Sequence, residues 1–148
     1  LVVSSVWETS PIGFADQPNY LNAGAILSTP LSVNKLCQTI IFQIEKSLGR
    51  TRDSINKNAP RTIDIDLMLF NHDILVLNNR RIPHPEILSR PFVARTLAEL
   101  DPGYVHPETG QTLEEIARTL DISGPDLRRR IDVNLLPLIQ DNSTRLRE

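Results

Sequence analysis

Residues 62–70 read TIDIDLMLF, from Thr62 to Phe70. Ile63, Ile65, Leu67 and Leu69 alternate with Thr62, Asp64, Asp66 and Met68. A period of two is that of a strand, so the stretch is expected to be extended, with both carboxylates on one face and the branched apolar side chains on the other. Side chains two apart on a strand stand about 6.5–7 Å from each other. Carboxylates so placed offer oxygen ligands to hard cations, and they suit a clamp on two metal ions about 3.5–4 Å apart. An isolated Asp-x-Asp is more often simply the polar face of a half-exposed strand, so the tripeptide alone decides nothing about chemistry.

Its surroundings shift that balance. The stretch 50–61 just before it is polar and holds Arg50, Arg52, Lys57 and Arg61, which read as a loop of cationic donors. Paired carboxylates next to an arginine cluster are the parts of phosphoryl transfer, in which metals bridge phosphate oxygens and guanidinium groups offset charge. No Walker A sequence and no Gly-rich kinase loop is present, so neither of those nucleotide-binding modes is supported.

Further towards the N-terminus, Thr29, Pro30 and Ser32 announce a helix. Val33, Leu36, Cys37, Ile40, Ile41, Ile44 and Leu48 recur at helical spacing, and Gly49 is its expected stop. Glu45 falls at the border of that apolar face, where it is either a surface residue or an acceptor for a bound group. Residues 2–8 (VVSSVWE) and 20–28 (YLNAGAILS) read as strands, joined by a loop with Pro11 and Pro18. On the C-terminal side, a turn at Asn71 and His72 leads to a strand at 73–77 (DILVL). Pro83 and Pro85 stiffen the chain on either side of His84. Helices are expected from Phe92 to Leu100 and, after a Thr112/Glu115 capping box, through Leu120. Strands and helices mix without strict alternation, which gives an α+β class.

The chain has 148 residues, which favours a single domain. The formal net charge of −2 argues against broad binding to nucleic acid or an anionic membrane. No apolar run reaches the roughly 18–20 residues of a membrane-spanning helix. Cys37 is the one cysteine, so no intrachain disulfide forms and a reducing, cytoplasmic setting fits. Its neighbours Leu36, Ile40 and Ile41 make it a small buried residue in expectation.

Five segments together resemble the 6-hydroxymethyl-7,8-dihydropterin pyrophosphokinases: SSVWETSPIG (4–13), DQPNYLNA (16–23), IEKSLGRTR (44–52), APRTIDIDLMLF (59–70) and IPHPEILSRPFVARTLAEL (82–100). The resemblance implies a ferredoxin-like α+β sandwich, an antiparallel sheet with helices packed on it. It implies transfer of diphosphate from ATP to the hydroxymethyl group of the pterin, giving AMP, in tetrahydrofolate biosynthesis. It implies two Mg²⁺ ions on Asp64 and Asp66, with Arg50 and Arg61 as loop arginines in catalysis. Glu45, Arg52, His84 and Arg90 would contact ATP, and Thr9, Ile12, Tyr20, Asn22 and Phe92 would line the pterin pocket. Where the family usually has Gly-Pro-Arg, this chain has Ala59-Pro60-Arg61. The family opens with a strand and a helix before the segment matched by Leu1, so the chain is expected to lack them, with an open sheet edge as the consequence. The pyrophosphokinase domain is placed at 1–124, followed by a C-terminal extension at 125–148, and a monomer is expected if the domain is complete. Two other functions stay open at this point: a catalytically impaired pterin- or nucleotide-binding remnant, and a metal-dependent phosphohydrolase.

Overall fold

The computed structural model describes residues 1–11, 18–50, 62–77, 80–120 and 127–135. Its strands pair only in antiparallel fashion, and helices pack on them, which makes the fold α+β.

The two N-terminal strand segments pair with each other, but not as two unbroken strands. Strand β1 (Val2–Val3) pairs with β4 (Ala25–Ile26), and β2 (Trp7–Thr9) pairs with β3 (Tyr20–Asn22). Between the two ladders, Ser4, Ser5 and Val6 face only Ala23 and Gly24. One extra residue on one side is a β-bulge. Side chains take up the backbone groups it frees. The Ser5 N–H donates to Oε2 of Glu99 at 3.0 Å, and the Gly24 N–H donates to Oγ of Ser4 at 2.8 Å. Val6, within the bulge, is turned into the interior. Strand β7 (Leu127–Arg129) adds to the other side of β2, giving the order β3-β2-β7. Arg130 fastens it: its N–H donates to the Val6 carbonyl at 2.9 Å, and its guanidinium meets Glu8. The segment placed beyond residue 124 by the sequence therefore contributes a strand to the sheet.

Ser32 caps the first helical run as expected, accepting from the Lys35 N–H. The run is not one regular helix. Helix α1 (Val33–Lys35) passes into a π-helical stretch, Leu36–Ile41, and then into α2 (Phe42–Ser47). A π-turn holds an additional residue, so everything after it is rotated by about 100° relative to a continuous α-helix. The expected apolar face is corrected accordingly. Leu36 and Ile41 are buried, but Ile40 and Ile44 are 37% and 40% exposed, and Glu45 takes the inward position at 2%. Cys37 is half-buried.

Residues 63–70 belong to no strand among the described residues, which corrects the expected strand. The alternation itself is present: Thr62, Asp64 and Asp66 are exposed, while Ile63, Ile65 and Leu67 are half-buried. A period of two sets the faces of a segment, whereas a ladder needs a neighbouring chain to bond with. The expected strand at 73–77 is shorter, β5 (Leu75–Leu77), and pairs with β6 (Arg80–Ile82).

The main core lies under the last two helices, α3 (Pro91–Leu100) and α4 (Leu113–Thr119). Ile87, Val93, Ala94, Leu113, Ile116 and Ala117 form it, with Met68, Leu69 and Phe92 packed against its border. The expected capping box starts α4. The Glu115 N–H donates to Oγ1 of Thr112 at 3.2 Å, and the Thr112 N–H donates to the Glu115 carboxylate at 2.8 Å.

Candidate active site

Arg50 is aimed by the way α2 ends. Gly49 takes the left-handed conformation at φ +79°, which only glycine adopts without cost. Its N–H donates to the Lys46 carbonyl at 3.1 Å, and the Arg50 N–H donates to the Glu45 carbonyl at 3.0 Å. This pair of bonds is a Schellman ending. It brings Arg50 back beside Glu45, and Nη1 of Arg50 donates to Oε1 of Glu45. The same Nη1 reaches Oδ1 of Asp64 at 2.6 Å. Oε1 of Glu45 also accepts from the Ile65 N–H at 3.0 Å. A buried carboxylate is tolerated only when charge and hydrogen bonds compensate it, and Glu45 has both.

Asp66 lies on the same open side as Asp64 but in a different field. Desolvation by the surrounding protein raises its pKa from the ordinary value, although the side chain still reaches solvent. The charges of Asp64 and Glu86 push it further up, while those of His84 and Arg80 pull it down. A carboxylate disfavoured as an anion beside a second carboxylate is a donor set that a bound divalent cation would relieve, so the pair fits such an ion. Among the described residues, no group of three His, Cys, Asp or Glu side chains is close enough to hold a metal by itself.

The backbone ties His84 to the same region, since its N–H donates to the Met68 carbonyl at 2.8 Å. Nδ1 of His84 accepts from the Glu86 N–H at 3.3 Å, which assigns the ring proton of the neutral form to Nε2. Arg90, just before α3, places Nε 3.1 Å from Oε1 of Glu86. Thr9, Tyr20 and Asn22 form a second group. Thr9 stands opposite Tyr20 in the ladder, and the Asn22 amide donates to Oγ1 of Thr9 at 2.9 Å. Phe92 sits in the first turn of α3 against the core. Ile12, Arg52, Lys57 and Arg61 lie outside the described residues. A cleft of about 280 Å³ is lined by Phe42, Glu45, Lys46 and Arg50. A neighbouring one of about 330 Å³ runs between Val33, Cys37 and Phe42 on one side and Leu77, Arg80 and Ile82 on the other.

The family model for 7,8-dihydro-6-hydroxymethylpterin-pyrophosphokinase matches residues 1–102. The chain belongs to this family. A protein of Bacillus subtilis (strain 168) named 2-amino-4-hydroxy-6-hydroxymethyldihydropteridine pyrophosphokinase is 40% identical over 98 residues, which are 66% of this chain and 57% of the relative. A Synechocystis protein (strain ATCC 27184 / PCC 6803 / Kazusa) of the same name is 37% identical over 117 residues, 79% of this chain and 58% of the relative. A Helicobacter pylori protein (strain ATCC 700392 / 26695) of that name is 41% identical over 95 residues, 64% of this chain and 58% of the relative. The chain thus spans a little under three fifths of the length of these pyrophosphokinases. Two charged groups near Asp66 were not singled out from the sequence of this family member. Glu86 is signalled by its spacing of four from Arg90, a pairing distance on a helical turn, but Arg80 carries no local signal at all.

Proposed function

We propose that the protein transfers the β,γ-diphosphate of ATP to 6-hydroxymethyl-7,8-dihydropterin, releasing AMP, as a step of tetrahydrofolate biosynthesis. The pterin hydroxyl oxygen forms a bond to the β-phosphorus, the bond from that phosphorus to the AMP oxygen breaks, and the hydroxyl proton is lost to solvent or base. The observation that carries this reading is the contact of Arg50 with Asp64, two residues before a second carboxylate whose charge the protein disfavours. Asp64 and Asp66 would hold two Mg²⁺ ions, which when bound supply Lewis-acid neutralisation of phosphate oxygens. Arg50 then has a phosphate oxygen as an alternative partner to Asp64, and its fork geometry suits either. By the resemblance, Arg61 joins Arg50 on the phosphates, and Arg52, His84 and Arg90 flank ATP together with Glu45. Thr9, Ile12, Tyr20, Asn22 and Phe92 take the pterin, an amide and a hydroxyl serving its polar edge and a ring its flat face.

The antiparallel sheets crossed by α3 suit a ferredoxin-like sandwich. The accompanying division is a domain at 1–124 and a C-terminal extension at 125–148, of which Leu127–Arg129 pairs with β2. Among the described residues no helix is long and apolar enough to cross a membrane. A monomer, if the domain is complete, and a cytoplasmic setting are the companion readings, the single cysteine fitting a reducing compartment. The test is turnover with ATP, Mg²⁺ and the dihydropterin. AMP should form only when the pterin is present. Phosphate released without it would indicate a phosphohydrolase, and binding without turnover would indicate a remnant.

A further inference from the structure

We propose that Glu45 is a positioning residue, which sets the Arg50 guanidinium and the Asp64–Asp66 segment in one fixed arrangement. The proposal rests on the diphosphate-transfer reading and deepens it. Glu45 is 2% exposed, on a helix whose neighbouring Ile40 and Ile44 are left open to solvent. Burying a carboxylate in preference to two isoleucines costs free energy on both counts. The π-helical stretch Leu36–Ile41 produces that choice: from Leu36 the inward face passes to Ile41 and then to Glu45. Irregular turns of this kind are frequent at functional sites.

What the inward carboxylate gains is contact with both halves of the site. Its Oε1 accepts from Nη1 of Arg50 and from the Ile65 N–H at 3.0 Å. Ile65 is the residue between the two aspartates, so its bonded N–H fixes the backbone from which both carboxylates project. Arg50 in turn bridges to Asp64 at 2.6 Å. A single oxygen therefore holds the cation and the carboxylate pair in register. Segment 63–70 has no ladder partner among the described residues, so this side-chain bond is one of the anchors it does have. Catalysis by positioned charge is sensitive to sub-ångström placement, so the anchor matters more to turnover than to stability.

Glu45→Gln separates the two bonds. The amide oxygen still accepts from Ile65, but the neutral group holds the guanidinium less strongly than a carboxylate, since the charge assistance is lost. In the full chain, kcat at saturating ATP, Mg²⁺ and pterin should fall about tenfold or more, with the pterin KM changed less than about twofold. By NMR, the Arg50 guanidinium protons should exchange with water about tenfold faster while the Ile65 amide stays protected. Glu45→Ala should release the Ile65 amide as well. A Glu45→Gln enzyme within about twofold of wild-type kcat, or unchanged Arg50 exchange, would overturn the proposal, as would an Ile65 amide equally protected in Glu45→Ala. If the wild-type chain shows no turnover, the diphosphate-transfer reading fails by itself. The Arg50 and Ile65 exchange rates then still decide whether Glu45 holds them.

Discussion

Asp64 and Asp66 stand on one face but answer to different neighbours. Asp64 has the Arg50 guanidinium against it, whereas Asp66 is disfavoured as an anion, first by desolvation and then by Asp64. Removing the Asp66 charge should therefore be painless for the fold and fatal for turnover. Asp66→Asn without metal is expected to melt at or slightly above wild type, and its Mg²⁺-dependent turnover should fall by about a hundredfold or more. Asp64→Ala should lose turnover comparably, at a stability cost within about 1 kcal/mol, because the residue is exposed. Side-by-side melts and initial rates check both, and near-normal turnover in either variant would remove the pair from the mechanism. His106 supplies a pH-dependent counterpart. It is 1% exposed, Nδ1 accepts from the Glu108 N–H, and burial lowers its pKa from the ordinary 6.5, with Glu108 acting in the opposite direction. The folded state prefers the neutral ring, so below the unfolded value the unfolded chain binds a proton that the folded chain resists. Stability is thus full above pH 6.5 and declines as pH falls below it. His106→Asn, whose side-chain oxygen accepts in place of Nδ1, should lose less stability than wild type between about pH 7 and pH 5. Parallel losses in the two proteins would refute that origin. The shared exposure of Asp64 and Asp66 followed from the period of two. The burial of Glu45 was not legible in the sequence, because the inward face of a helix depends on its register, and the π-turn moved it.

Local signals in the sequence fixed the ends of elements better than their interiors. Ser32, Gly49 and the Thr112/Glu115 box each act within a few residues of themselves, and each caps its helix as expected. Interiors depend on partners elsewhere in the chain. The alternation in TIDIDLMLF is real, yet no ladder forms along it among the described residues, and β6 emerged from RRI, which carries no strand pattern. The bulge between β1 and β2 depends on Glu99 far along the chain and has no local signature. The ending of α2 joins structure to site, because Gly49 both stops the helix and turns Arg50 back onto Glu45. Gly49→Ala forces a side chain into the left-handed region and should cost about 1 kcal/mol or more. If Arg50 acts as described, kcat falls with it. Urea unfolding and steady-state rates measure the two effects. A loss of stability with unaltered kcat would mean that Arg50 finds its place without the Schellman ending.

Taken whole, the molecule's most regular packing, α3 on α4, borders directly on the irregular 62–70 segment, whose Met68 and Leu69 lie against that core. The class of fold followed from the mix of patterns, while the pairing order β3-β2-β7 did not, because a three-residue strand after residue 124 leaves little periodicity to read. The family was legible because its matching segments are short and continuous, PRTIDIDLMLF among them. An intact diphosphate is the group proposed to move, and labelled ATP follows it from donor to acceptor. With ATP labelled at the β-phosphorus, Mg²⁺ and 6-hydroxymethyl-7,8-dihydropterin, the label should appear in a pterin diphosphate, in equal amount with unlabelled AMP. Label recovered in ADP or in free phosphate species, with no labelled pterin, would contradict the account.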